Sequence, residues 1–232
     1  MTSALPDAGL VAWWSTAWLR GDAVTDLVLD ALAHLDVAGG WLDLLVDVRR
    51  AGATGAGLAL PAEGDPLGLG GPPAFNALAM ESRSAVVLAE AGTGLVPEDL
   101  DGRVTFRRVA ARPRQVPDLG EADRGLRLAL TTTADALADL DVARWRPEVA
   151  DELMDLRRPT LAAPPPGIPA LAGSLAARAL RAVTIVDLAL LDDGATVSAY
   201  ETETRRAALR PLDQAARRGL VAACSPEAWP PG

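Results

Sequence analysis

The stretch Leu58–Thr93, LALPAEGDPLGLGGPPAFNALAMESRSAVVLAEAGT, decides the fold of this chain of 232 residues. It begins with a short apolar run, Leu58–Leu60, which is typical of a buried strand. Glu63–Pro73 follows with four glycines and three prolines, a composition that neither continues a strand nor holds a helix. Ala74–Arg83 then predicts a short helix, and Ala85–Ala89 predicts a second buried strand. The stretch therefore predicts the order strand, loop, helix, strand.

The candidate ligand site lies in the loops that follow these two strands. If the strands are parallel, loops 63–76 and 90–95 open at the same edge of the sheet, where ligands of open α/β folds bind. The residues available there are Asp65, Gly68, Gly70, Gly71, Asn76, Glu90 and Thr93. The glycines begin like a dinucleotide-binding motif, but prolines stand where further amide donors are needed. The competing interpretation is a tight surface turn that only joins a strand to a helix.

Helical spacing of apolar residues predicts three helices before this stretch, over Leu10–Arg20, Asp22–Ala38 and Trp41–Arg50. In the first, Leu10, Trp14 and Trp18 share one face, and Trp13 lies to one side. The third segment also alternates as a strand would. We prefer the helix, since it places four apolar side chains on one face: Trp41, Leu44, Leu45 and Val48.

A third strand is predicted over Arg103–Ala111, with Val104 and Phe106 facing inward. Beyond it the chain is predicted to be mostly helical. Apolar spacing between Leu126 and Leu140 marks one helix. Four further helices are expected, over Pro147–Arg158, Ala170–Leu191, Ala195–Leu209 and Pro211–Ala223.

The whole pattern predicts an α+β fold. We expect a small mixed, partly parallel sheet of about three strands with packed helices, followed by a mostly helical C-terminal half. Residues 1–115 hold the sheet, and residues 116–224 form a helical part packed on it. Residues 225–232 are expected to be a disordered tail.

Composition excludes several classes of function. All 22 basic residues are arginine, so no lysine can form a Schiff base or serve a phosphate-binding loop. The net charge of −9 opposes binding to nucleic acid or to an anionic membrane surface. A single cysteine permits no internal disulfide, and no apolar span of membrane length occurs, so we expect a soluble cytoplasmic protein. No metal site and no cofactor are predicted.

Other residue clusters are better explained by structure than by chemistry. The arginines between Arg103 and Arg114 form either an anion patch or the solvated face of an edge strand. Four acidic residues between Glu148 and Asp155 share one helical face without a histidine partner, which favours a solvated face. The only histidine, His34, and the only cysteine, Cys224, have no catalytic surroundings in the sequence.

Two functions of different classes remain. The leading interpretation is a non-enzymatic protein that acts through protein–protein contacts or self-association. It rests on the lack of a catalytic pattern and on Trp13, Trp14 and Trp18, whose density suits a partner-binding surface, although such residues also build cores. The alternative is a protein or enzyme that binds a small molecule or a nucleotide-like ligand through loops 63–76 and 90–95.

Overall fold

The structure is a computed structural model that describes residues 5–139, 163–191 and 199–230. This part of the chain contains seven α-helices, a short 3₁₀ helix and one five-stranded sheet. The helices are α1 (Asp7–Arg20), α2 (Thr25–Ala31), α3 (Trp41–Arg50), α4 (Pro73–Ser82), α5 (Leu119–Asp139), α6 (Ala170–Leu191) and α7 (Ala199–Ala223). The strands are β1 (Asp36–Val37), β2 (Gly57–Ala59), β3 (Ala85–Leu88), β4 (Thr93–Leu100) and β5 (Arg103–Ala110).

The sheet has the strand order β1-β5-β4-β3-β2 and is mixed. Only β1 and β5 run parallel; the other three pairs are antiparallel. The mixed α+β class is confirmed, but the sheet is larger than predicted and its parallel pair lies elsewhere. The condition on which the candidate ligand site depended, a parallel pairing of the first two predicted strands, is not met, because Leu58 of β2 pairs with Val86 of β3 in antiparallel register.

The two faces of the sheet carry alternate residues of each strand, as the pleat requires. Val86 and Leu88 belong to the main hydrophobic core, which also contains buried residues of α1. Val87 belongs to a second, smaller cluster with Phe75 and Ala79 of α4. The sheet therefore lies between α4 on one side and the main core on the other.

Strand β4 was not predicted, because its sequence contains Gly94, Pro97 and two acidic residues. The structure explains the glycine: a Cβ at Gly94 would lie 2.6 Å from a ring carbon of Phe75. It also accommodates Pro97. Only Thr93–Leu95 pair with β3, so Pro97 lies in a stretch of β4 that has a strand on one side only.

The helix predicted over Asp22–Ala38 is too long, since α2 ends at Ala31. Leu32 and Leu35 are buried in the turn that follows, and Asp36–Val37 pairs with β5. Tertiary packing of these two leucines replaces the helix that their spacing alone predicts. By contrast, α3 has the predicted bounds, and its four predicted inner residues are all buried.

Helix α1 is buried around most of its circumference, and both Trp13 and Trp18 are among its buried residues. Trp13 is only 2% exposed and donates from its indole nitrogen to the carbonyl of Ala223, 3.0 Å away. Trp18 is also buried and lies under the guanidinium of Arg49. Trp14 is half-buried against the core. Trp13 and Trp18 therefore belong to the core and not to an exposed partner-binding surface.

The C-terminal half is helical where it is described. One correction concerns α7, which runs unbroken through Pro211, so the two helices predicted on either side of this proline form one helix. A second concerns the tail: Pro226–Ala228 forms a 3₁₀ helix, and Ser225 and Trp229 are buried, so these residues are not disordered. The predicted helix Pro147–Arg158, with its acidic face, lies outside the described residues.

Buried residues from both halves belong to one cluster, which includes Leu58 of β2, Leu126 of α5 and Leu220 of α7. The predicted boundary between residues 115 and 116 stays a prediction. Among the described residues, no helix has the length and apolarity needed to span a bilayer.

Candidate functional site

A groove of about 640 Å³ lies where the loop after β2, the segment after β5 and helix α7 meet. Its lining comes from Asp65–Gly70, from Pro113–Pro117 and from Arg218. Three of the seven candidate ligand residues, Asp65, Gly68 and Gly70, therefore line it. The other four, Gly71, Asn76, Glu90 and Thr93, do not.

The antiparallel pairing explains this separation. Ala59 at the end of β2 pairs with Ala85 at the start of β3, so the loops after these strands leave from opposite ends of the pair. Glu90 accepts a hydrogen bond from Thr54 at 3.2 Å, and the hydroxyl of Thr93 donates to the carbonyl of Ala91. Residues 90–95 thus form the end of the β3–β4 connection and the start of β4, and none of them lines the groove.

The loop after β2 folds back on itself. The amide of Leu60 donates to the carbonyl of Leu67 at 3.2 Å, and Ala62 and Asp65 exchange two backbone hydrogen bonds of 2.9 Å. This arrangement returns the chain to the end of β2, where Gly68 packs against Ala59. The returning segment, Asp65–Gly70, forms one wall of the groove.

The glycines of the loop serve its packing. A Cβ at Gly68 would lie 2.8 Å from both the Cα of Ala59 and a guanidinium nitrogen of Arg114, and φ at Gly68 is +80°. A Cβ at Gly70 would lie 2.3 Å from the carbonyl oxygen of Pro113. The amide of Gly71 donates to the side chain of Asn76 at 2.9 Å, so it is not free to hold a phosphate. The resemblance of this run to a dinucleotide motif is therefore superficial.

Arg114 lies beneath the groove, with its side chain fully buried. Its guanidinium donates to the carbonyls of Leu58 and Gly68 and to the hydroxyl of Ser225, the last at 2.9 Å. A carboxylate oxygen of Glu227 lies 3.6 Å from its Nε. Burial lowers the pKa of Arg114, and the charge of Glu227 partly opposes this effect. The guanidinium thus joins three separate parts of the chain.

A second arginine attaches the loop to helix α7. Arg217 lies 3.1 Å from a carboxylate oxygen of Asp65 and donates to the carbonyl of Leu60 at the same distance. It also pairs with Asp213 one turn earlier on α7. Asp65 is therefore engaged within the protein and does not face the groove as a free carboxylate.

The polar groups left for a ligand are few. The side chains of Arg218 and Gln115 are exposed, and neither has a partner among the described residues. Pro66 and Pro113 are exposed beside them, and Leu69 and Val116 are half-buried. The groove thus offers a cation and a side-chain amide next to apolar walls.

Sequence reasoning missed the residues that build this site. Arg114 belongs in the sequence to a run of arginines between 103 and 114, of which Arg103, Arg107 and Arg108 form exposed ion pairs with acidic side chains and Arg112 is exposed as well. Arg217 and Arg218 could not be connected to the loop after β2 from the sequence, because 157 positions separate Arg217 from Leu60. The only local indication that Arg114 differs from the other arginines is the pair of prolines around it, Pro113 and Pro117, which place it beyond the end of the strand.

The remaining candidates carry no site. Cys224 is fully buried, and burial raises the pKa of its thiol. His34 is exposed and lies 3.7 Å from a carboxylate oxygen of Asp7. Within the described residues, no group of three or more histidine, cysteine or acidic side chains has the geometry to hold a metal ion.

Two family models match the chain. The N-terminal domain of the Rv1486c-like protein matches residues 8–121, and the C-terminal domain of the same protein matches residues 120–221. The two matches adjoin in the order of the family, so the chain belongs to the Rv1486c-like family of two-domain proteins. Comparisons with curated proteins and with solved structures found no match.

Proposed function

We propose that this protein is a non-enzymatic binding protein and that its groove binds a small organic molecule with one anionic group. The observation that carries the proposal is Arg218, an exposed arginine without a partner among the described residues, which lies beside apolar walls. An unpaired guanidinium forms charge-assisted hydrogen bonds with a carboxylate or phosphate. The apolar part of the ligand would pack against the proline, leucine and valine side chains.

The size of the groove supports a small molecule. Its volume of about 640 Å³ lies within the range of known ligand pockets, roughly 300–1,000 Å³. Gln115 adds a second polar contact that can orient the ligand. The proposal retains the glycine-rich loop 63–76 as part of the site and leaves out loop 90–95.

The lining supports binding in preference to catalysis. Among the residues that line the groove there is no histidine, cysteine, serine, threonine or tyrosine. The one carboxylate, Asp65, is paired with Arg217. General acid–base or nucleophilic chemistry needs such a group within hydrogen-bond reach of the substrate.

A second candidate function is contact with a protein partner or with another copy of the chain. Val24 and Leu27 are 65% and 49% exposed. Val24 directly precedes α2, and the spacing of three residues places the two side chains on the same face at the start of the helix. This pair replaces the tryptophans as the support for a protein–protein role. Changing both residues to serine should reduce any self-association measured by sedimentation, whereas changing Leu128 to serine, an exposed leucine on α5, should not.

The groove proposal is tested with simple probes. Phenyl phosphate and phenylacetate each carry an aromatic ring and one anionic group, and phenol serves as the neutral control. We expect both anions, but not phenol, to shift the amide NMR signals of the non-proline residues within 65–70 and 113–117.

A matched pair of variants isolates Arg218. Arg218→Gln should weaken binding of phenyl phosphate about tenfold, the loss expected for a charged hydrogen bond. Arg210→Gln removes an equal charge from an exposed position on the same helix and should leave binding unchanged. Equal effects of the two variants, or shifts confined to other residues, would refute the groove as the site.

A further inference from the structure

Strand β2 is covered along its outer edge by the chain after α7. The amide of Leu58 donates to the carbonyl of Cys224 at 3.2 Å and to the hydroxyl of Ser225 at 3.1 Å. We call Ser225–Trp229 the closing segment. Its last residue, Trp229, is buried, donates to the carbonyl of Ala223 and lies under the guanidinium of Arg20, 5.0 Å from the ring centre.

Arg114 connects the closing segment to the wall of the groove. The same guanidinium that donates to the hydroxyl of Ser225 also donates to the carbonyl of Gly68, 3.1 Å away. Glu227 of the closing segment supplies the nearest opposite charge. Because Gly68 lies in the wall, the position of that wall depends on a cation that the closing segment helps to hold.

Two glycines of the β2 region leave room for this connection. A Cβ at Gly57 would lie 2.0 Å from a guanidinium nitrogen of Arg114 and 2.8 Å from a carboxylate oxygen of Glu227. A Cβ at Gly55 would lie 2.5 Å from the ring of Pro226. The closing segment thus packs directly against the backbone of Gly55 and Gly57, where any side chain would clash with it.

We infer that Arg114 is a positioning residue that couples docking of the closing segment to the shape of the groove. If the segment docks, Arg114 is held and fixes the carbonyl of Gly68; if it detaches, the wall loses that contact. Ligand binding and docking of the segment must then favour each other, since coupling between two sites is reciprocal. The expected effect on ligand binding rests on the proposed function, whereas the coupling between the closing segment and the groove wall at Gly68 does not.

The coupling is tested by amide hydrogen exchange in the intact chain. Ser225→Ala and Glu227→Gln each remove one contact to Arg114 and leave the arginine in place. We expect exchange at the amides of Leu60, Asp65 and Leu69 to rise about tenfold, because the loop then opens more often. Helix α3, which has no contact with Arg114, should exchange as before.

Control variants separate this coupling from a general loss of stability. Glu81→Gln removes a charge from an exposed position on α4 and should change neither the loop nor α3. Arg114→Lys should open the loop as the segment variants do, because a compact ammonium group cannot span the three acceptors that the planar guanidinium reaches. A uniform rise of exchange throughout the chain, or an unchanged loop in the segment variants, would overturn the inference.

The ligand arm uses phenyl phosphate. In the unmodified protein the probe should slow exchange at the amides of Glu227, Ala228 and Trp229, and Glu227→Gln should weaken its binding several-fold. If the probe does not bind the unmodified protein, the proposed function fails, and the loop measurements still decide whether the segment and the wall are coupled. If the probe binds without protecting the closing segment, the inference fails and the proposed function stands.

Discussion

At Gly57 the lack of a side chain leaves room for the guanidinium of Arg114. A methyl group there would lie within 3 Å of both Arg114 and Glu227. Gly57→Ala should therefore lower the free energy of unfolding by about 1–3 kcal/mol, the usual effect of overpacking. Urea denaturation measures this loss.

The control for this change is Gly125→Ala. Gly125 lies in α5, and a Cβ there meets nothing within 4 Å. Alanine is the better helix former, so this variant should be more stable by about 0.5–1 kcal/mol. If both substitutions changed the free energy of unfolding in the same direction, the predicted crowding at Gly57 would be contradicted.

Asp65 contributes to stability through its ion pair with Arg217, in which both side chains are 17% exposed. Asp65→Ala should lower the free energy of unfolding by about 1 kcal/mol while the protein stays folded. Asp213, the other partner of Arg217, is more exposed, and Asp213→Ala should cost less than about 0.5 kcal/mol. Urea denaturation of both variants compares the contributions of the Asp65–Arg217 and Asp213–Arg217 pairs to stability. A larger loss for Asp213→Ala than for Asp65→Ala would contradict the prediction.

Cys224 predicts a dependence of stability on alkaline pH. Burial raises the pKa of its thiol in the folded protein, whereas the thiol of the unfolded chain titrates near the ordinary value of about 8.5. Above that pH the unfolded chain binds fewer protons than the folded one, so stability falls as pH rises. The stabilising contribution is complete at lower pH.

The measurement compares urea denaturation at pH 8 and pH 10 for the unmodified chain and for Cys224→Ala. We expect a steeper decline in the unmodified chain, by about 1.4 kcal/mol per pH unit above the unfolded pKa. In the folded protein near pH 8 the thiol should not react with a disulfide reagent. Parallel declines, or rapid labelling of the folded protein, would show that the thiol is accessible.

Burial of single residues was the least predictable property of the sequence. The indole nitrogen of the buried Trp13 donates to a carbonyl 210 residues away, and the guanidinium of Arg114 donates to a serine hydroxyl 111 residues away. Local spacing contains no information on contacts of such separation. For the same reason Arg217 and Arg218 were not among the predicted site residues, whereas Asp65, Gly68 and Gly70 were candidates because their loop has an unusual composition.

At the scale of elements, helix α7 contains Pro211, which has no amide hydrogen to donate. Leu209 and Leu212 on either side are buried, so packing holds the helix together at that point. Pro211→Ala should restore the missing hydrogen bond and raise the free energy of unfolding by about 1–3 kcal/mol. Urea denaturation gives the change.

Arg210→Ala is the neighbouring control, since it replaces an exposed residue of the same helix and should alter stability by less than about 0.5 kcal/mol. A Pro211→Ala protein of unchanged or lower stability would indicate that the proline is needed for the local geometry.

Elements with one strong periodicity could be predicted from the sequence. Helix α3 and strand β3 occur almost where their apolar patterns place them. Strand β4 could not be predicted, because the reasons for its glycine and its proline lie in tertiary structure. Gly94 leaves room for the ring of Phe75, and Pro97 lies beyond the residues that pair with β3. The direction of the β2–β3 pair could not be predicted either, and the supposed meeting of two loops depended on it.

At the scale of the whole molecule, the two matched domains share one hydrophobic cluster. Leu58 in the first half and Leu220 in the second belong to it, and the closing segment covers β2. We therefore expect one cooperative unfolding transition. The near-ultraviolet dichroism of the tryptophans and the far-ultraviolet dichroism of the helices should change at the same urea concentration. Two separate midpoints would show that the halves unfold independently.

The closing segment also affects how the chain reaches its fold during synthesis. Strand β2 leaves the ribosome long before the residues that cover it, since 167 positions separate Leu58 from Ser225. At roughly 5–20 residues per second, translation of that interval takes about 8–33 s. Throughout it the outer edge of β2 lacks its final partner, and an open strand edge is a surface on which nascent chains pair wrongly. Slowing translation within the last helix should therefore increase aggregation of this protein more than slowing it within the first.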